Sequence, residues 1–114
     1  MIDPEMSANL RQELRRGSLV LACLLALRRE PNYGYALLKT LAEAGVETDA
    51  NTLYPLLRRL EKQGLLESLW VTEEPRPRRF YRISDAGSEA ADSLVDDWAA
   101  LWTALQMFQE RNGS

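Results

Sequence analysis

Asn51, Pro55, Arg58 and Lys62 are spaced so that a helix would carry them on one face. Tyr54 and Arg59 flank that stripe, and Leu53, Leu56, Leu57 and Leu60 fall on the opposite side. An amide and a guanidinium can each make paired hydrogen bonds to base edges, while an ammonium and a phenol can hold phosphates. The chemistry open to this face is recognition of double-stranded nucleic acid. Taken alone, the same helix could equally turn these groups to water as a solvated polar face.

A second basic group follows. Arg76, Arg78 and Arg79 stand with Pro75 and Pro77 in a link between two runs rich in Trp, Val, Phe, Tyr and Ile. Such runs, joined by a loop of about five residues, predict a β-hairpin. The prolines stiffen its tip, so docking would lose less ordering entropy. The three arginines are expected on one side. A stiff basic hairpin beside a polar stripe is more specific than either alone.

The elements that must position these groups read as follows. Residues 1–9 are polar and expected as a mobile terminus. A first helix should cover residues 10–29, with Gly17-Ser18 near its middle, and Pro31 should end it. A second helix over 33–44 buries Leu37, Leu38 and Leu41, and Gly45 closes it. Asp49 or Asn51 is the expected N-cap of the third helix, which runs to about residue 63 before Gly64. Pro55 conflicts with that start, because it forfeits a backbone hydrogen bond and disfavours a helical Tyr54. A helix beginning at Pro55 is the other possibility. The hairpin pairs 65–72 with 78–84. Ser84 then caps a last helix to about residue 109, with Asp85 near its positive end and residues 111–114 fraying.

This order predicts a mainly α fold with a small β-hairpin: a winged helix-turn-helix over residues 10–84 and a long C-terminal dimerisation helix over 85–110. In that fold the third helix enters the major groove and the hairpin, or wing, reaches the backbone or minor groove. In the last helix Ala91, Leu94, Trp98, Leu101, Leu105 and Phe108 recur at alternating spacings of three and four, which is a heptad seam. Val95 and Trp102 widen it. A second copy is the expected cover. Two-fold symmetry would then set the recognition helices about 34 Å apart and call for an inverted-repeat operator. Trp98 and Trp102, four residues apart, share one face and are expected to fill the interface.

Composition narrows the alternatives. The chain has 114 residues, one domain's worth. It has no histidine and one cysteine. That excludes a disulfide framework, Cys-cluster metal sites and His-based catalysis. No nucleophile–base pair or phosphate-cradling glycine loop can be assembled, so no enzyme, metal or cofactor is expected. The run 19–27 is too short to span a bilayer, and basic residues rather than a cleavage site follow it. It reads as a core helix, with Cys23 as a small buried hydrophobe, in a cytoplasmic chain without a membrane partner. The net charge of −3 argues at first against nucleic acid. Yet residues 51–82 hold seven basic and four acidic residues, whereas 83–114 hold one basic and six acidic. The negative total belongs to the last helix, and the segment expected to meet phosphates is basic.

The segment Asn51-Thr-Leu-Tyr-Pro-Leu-Leu-Arg-Arg-Leu-Glu-Lys-Gln-Gly-Leu-Leu66 resembles the signature of the PadR family of bacterial transcriptional regulators. Arg16-Gly-Ser-Leu19, Tyr33-Gly-Tyr35, Trp70, Arg79-Phe-Tyr-Arg-Ile-Ser84 and Asp85-Ala-Gly87 fit the same family. The likeness covers residues 10–109, and the single last helix is similar to the short subfamily. It implies a cytoplasmic homodimer, usually a repressor, on a palindromic operator. It implies that the third helix continues through Tyr54-Pro55. It also implies DNA contacts from Tyr33, Gly34 and Tyr35, from Asn51, Thr52, Tyr54, Pro55, Arg58, Arg59 and Lys62, and from Arg76, Arg78 and Arg79 of the wing. Drug-sensing relatives stack planar ligands on aromatic residues of the last helix, which implies Trp98 and Trp102 as the ligand-binding residues here if they do not simply fill the interface, and others respond to phenolic acids. The wing tip, Glu73-Glu-Pro-Arg-Pro77, departs from the glycine-containing loop of many members. The reading from another class is a winged-helix protein–protein adaptor without DNA binding, which would not need a basic third helix and wing.

Overall fold

The computed structural model describes residues 1–72 and 77–113, with side chains through Glu110. The wing-tip residues Pro75 and Arg76 lie outside the described residues. Four helices and three strands follow in the order α1 (Pro4–Arg29), β1 (Asn32–Tyr33), α2 (Gly34–Glu43), α3 (Ala50–Lys62), β2 (Leu66–Val71), β3 (Arg78–Ile83) and α4 (Asp85–Gly113). The strands form one antiparallel sheet of order β1-β3-β2. This is the expected winged helix, mainly α with a small sheet.

Three boundaries differ from the sequence reading. First, α1 begins at Pro4, so most of the expected mobile terminus is its first turns. Asp3 is extended at the N-cap, proline opens the helix and Glu5 stands in the first turn, where an acid favours the dipole. Gly17-Ser18 does not interrupt it. Second, β1 pairs with β3, aligning Asn32 with Tyr81 and Tyr33 with Phe80. Third, α4 runs to Gly113, past the expected end near residue 109.

Glycine closes two helices by the same device. Gly45 and Gly64 have φ of 92° and 80°, the left-handed region that glycine enters without strain. The next residue then bonds back across the final turn, Val46 N–H to the Leu41 carbonyl at 2.8 Å and Leu65 N–H to the Leu60 carbonyl at 2.9 Å. The chain is thereby turned toward α3 in one case and into the wing in the other.

The core joins Leu19, Cys23, Leu24 and Leu27 of α1 to Leu37 and Leu41 of α2 and to Leu53, Leu57 and Leu60 of α3. Leu66, Tyr81 and Ala91 close it from the wing and α4. Leu38 and Leu56, expected within this core, are only half-buried at its border. Burial pushes the Cys23 thiol up to about 12, as fits a packed small hydrophobe. Arg28 of α1 fastens α4, donating to Asp92 at 2.8 Å and to the Ser88 hydroxyl at 3.1 Å. Ser84 ties the wing's exit to the end of α3: its hydroxyl donates to the Gly64 carbonyl at 2.6 Å and accepts from Gly87 N–H at 3.0 Å. Among the described residues, no helix is long and apolar enough to cross a membrane, and no acidic or cysteine cluster is placed to hold a metal.

Candidate nucleic-acid interface

Asp49 is the N-cap of α3, and its carboxylate accepts from Thr52 N–H at 2.8 Å. The helix continues through Pro55. The capped first turn outweighs the one bond that proline removes, which is the bond to the Asn51 carbonyl four residues back. Leu53, Leu57 and Leu60 are buried, and this fixes the rotation of the helix. Asn51, Thr52, Pro55, Arg58, Arg59 and Lys62 are exposed on the other side.

Gly34 is buried, yet it lines the cleft between α3 and the wing. A Cβ there would meet the Tyr54 ring at 3.1 Å. Its missing side chain thus seats Tyr54, half-buried, against the start of α2. Tyr33 stacks on Tyr35 with centroids 5.6 Å apart and meets Phe80 edge-on at 5.1 Å. The three residues at the start of α2 therefore play different parts. Gly34 admits a ring, Tyr33 packs on the wing, and Tyr35 stands exposed.

Alternation along β3 separates the two described wing arginines. Arg78 donates to the Tyr35 hydroxyl at 3.0 Å and lies over its ring, 4.8 Å from the centroid. Arg79 donates to Glu61 of α3 at 3.0 Å and lies over Trp70 at 4.9 Å. Arg78 and Arg79 thus have different partners although both line one cleft beside α3, and Arg76 lies outside the described residues. Glu61 and the packing role of Trp70 were not foreseen. A lone acid inside a basic helical stripe was the available signal, but its partners depend on strand register.

Two open clefts border α3. One, of about 620 Å³, runs along Pro55, Arg58, Arg59 and Lys62 to Glu61 and Arg79. The other, of about 320 Å³, lies between Tyr35 and Tyr54 on the helical side and Trp70, Pro77, Arg78 and Arg79 on the wing. Arg58 lines both. An exposed guanidinium at this junction can reach a base edge or bridge adjacent phosphates.

The far end of the molecule is different. Ala91 is 0% exposed within its own chain, and Leu94 packs on the same core. Ala91 therefore cannot belong to a surface shared with another copy, because α1 and the wing base already cover it. Val95, Trp98, Leu101, Trp102, Leu105 and Phe108 are exposed, Trp98 at 53%. Met6, Leu10 and Leu14 form a second exposed apolar stripe at four-residue spacing along the start of α1, with exposed Ile2 just before the helix. That spacing was present in the sequence of the presumed terminus.

A three-helix core with a helix-turn-helix and an antiparallel wing beside its third helix defines a winged-helix protein, here with an exposed cationic stripe on that helix. Residues 23–93 match the transcriptional regulator PadR-like family. The chain is similar to a PadR family transcriptional regulator from Eggerthella lenta DSM 2243, with 44% identity, 93% of this chain and 94% of that one covered, and a TM-score of 0.89. It is also 36% identical over 90 residues to the transcriptional regulator Rv3488 of Mycobacterium tuberculosis (strain ATCC 25618 / H37Rv), spanning 79% of this chain and 81% of that protein. The chain belongs to the PadR-like family of transcriptional regulators.

Proposed function

We propose that this regulator is a cytoplasmic repressor that binds a palindromic operator as a homodimer. In this reading α3 lies in the major groove. Asn51, Thr52 and Arg58 read base edges there, and Tyr54, Arg59 and Lys62 hold phosphates. Arg78, with Tyr35 behind it and Arg76 further along the wing, meets the backbone or minor groove. The observation that carries the reading is the exposed stripe of α3 with Arg58 at the meeting point of two clefts. The outer half of α4 supports the dimer, because a broad exposed apolar patch is the usual mark of an interface. Trp98 and Trp102, exposed on neighbouring sites of α4, suit a small planar or phenolic effector that releases the operator.

A footprint on the region upstream of the protein's own gene tests the core of this reading. The expected result is protection of an inverted repeat with half-sites about 10 base pairs apart. Affinity should fall steeply with salt, and Arg58→Ala should abolish the protection. Salt-insensitive binding, or an unchanged footprint in that variant, would remove α3 from the groove. For the effector, titration of tryptophan emission with planar aromatic dyes should show quenching. Unchanged emission across the panel would leave Trp98 and Trp102 as interface residues only.

A further inference from the structure

Glu61 sits inside the basic stripe of α3, one turn after Arg58 and next to Lys62. A bare carboxylate there would repel the phosphates that its neighbours are proposed to meet. Instead, both of its oxygens are engaged. Oε1 accepts from Arg79 of β3 at 3.0 Å, and Oε2 accepts from the Ser68 hydroxyl of β2 at 2.6 Å. Each oxygen is thus committed to a different strand of the wing. The Arg79 guanidinium carbon also lies over the Trp70 ring, 4.9 Å from its centroid. The two side chains are 34% and 29% exposed, so water screens this pair less than an open surface bridge.

We propose that Glu61 is a positioning residue that fixes the wing's angle to the recognition helix, with Arg79 as its internal counter-ion rather than a phosphate ligand. The proposal rests on the DNA-binding reading above. A two-stranded wing can pivot about its base. One carboxylate bonded to both strands removes that freedom, and with it any drift in the spacing between α3 contacts and wing contacts. Arg78 provides the contrast. Among the described residues its bonded partner is the neutral Tyr35 hydroxyl, so its charge is not cancelled. Of the two neighbouring arginines, Arg78 is left to meet DNA and Arg79 holds the frame.

The test uses the full chain and a DNA fragment from upstream of its own gene, titrated across a salt series. Charge alone says that Glu61→Gln should tighten binding. Positioning says the reverse: a loss of about tenfold, the scale of one charge-assisted hydrogen bond. Ser68→Ala, which changes no charge, should weaken binding in the same direction by less. Arg79→Gln should weaken binding with the salt slope of the unmodified protein, whereas a phosphate contact would lower that slope by about 0.9 per phosphate. The Glu61→Gln, Arg79→Gln pair should lose no more than either change alone, and Arg79→Lys should restore part. Denaturant unfolding without DNA should show the same non-additivity. Tighter or unchanged binding by Glu61→Gln, or a reduced slope in Arg79→Gln, would overturn the proposal. If the unmodified protein binds no DNA, the functional reading fails on its own. The unfolding cycle still decides the clasp, and additive losses there would refute it.

Discussion

Around the wing base the chain supplies its own partners, whereas along the outer half of α4 it supplies none among the described residues. Glu61 bonds two strands, Arg78 rests on Tyr35, and Ser84 and Gly87 close on the end of α3. Beyond Leu94, by contrast, α4 presents Trp98, Leu101, Trp102, Leu105 and Phe108 outward, with Phe108 66% exposed. The first region is specified within one copy and presents charge. The second holds apolar area that one copy leaves open. Burial of apolar surface is non-directional and scales with area, whereas ion pairs and hydrogen bonds fix angles. A polar, internally braced surface suits reading a rigid duplex, and an open apolar helix suits joining two readers.

The sharpest way to break this contrast is to charge the open helix. Leu101→Asp should leave the fold of each copy intact. It should weaken self-association by at least about a hundredfold, the scale of a lost interface hot spot. Sedimentation velocity reads the result directly, with far-ultraviolet circular dichroism as the check on folding. Ala91→Asp, only ten positions earlier, should behave in the opposite way. It buries an unpaired carboxylate in the core and should unfold the chain. If Leu101→Asp sediments like the unmodified protein, the outer half of α4 is not the interface.

Glycines sharpen the comparison at a smaller scale. Gly87 packs directly on the turn between α3 and β2, and an added Cβ would collide with the Leu65 carbonyl oxygen. Backbone cannot swing aside as a side chain can. Gly87→Ala should therefore cost about 3 kcal/mol, the upper range for overpacking. Gly17, midway along the exposed part of α1, meets nothing within 4 Å. Gly17→Ala should stabilise the helix by about 1 kcal/mol. Thermal unfolding of the two variants measures both, and equal shifts would mean that the wing base is not tightly packed.

What could be read from the sequence divides along similar lines. The leucine stripes of α2 and α3, both glycine caps and the hairpin depend on residues close together in the chain, so local periodicity and turn chemistry revealed them. β1 has two residues and no strand pattern of its own. It exists because β3 lies beside it, and only the tertiary fold brings them together. The start of α1 did carry a signal in Asp3-Pro4-Glu5, but the polar composition of the segment masked it. Ala91 shows a limit of another kind. A heptad pattern tells which residues share a face, not whether the cover comes from the same copy or from a second one. Glu61 and Arg79 are eighteen positions apart, and their pairing follows from the register that sets Trp70 against Arg79.

The smallest expected effect separates holding a helix from using it. Asp49 and Asn51 are both polar residues at the start of α3, and both were candidates for its cap. The hydrogen bond to Thr52 N–H belongs to Asp49. Asp49→Ala should therefore cost about 1 kcal/mol in thermal unfolding, the typical value of a lost N-cap. Asn51 is exposed, and its side chain caps nothing among the described residues. Asn51→Ala should change stability by no more than about 0.5 kcal/mol, as surface substitutions do. Under the proposed function it should instead relax base preference at one position of each half-site, read by binding to operator variants. The reverse pattern, with stability falling on loss of Asn51 and not of Asp49, would move the start of α3 by two residues. The exposed face would keep its residues, because buried Leu53, Leu57 and Leu60 fix the rotation of the helix whichever residue caps it.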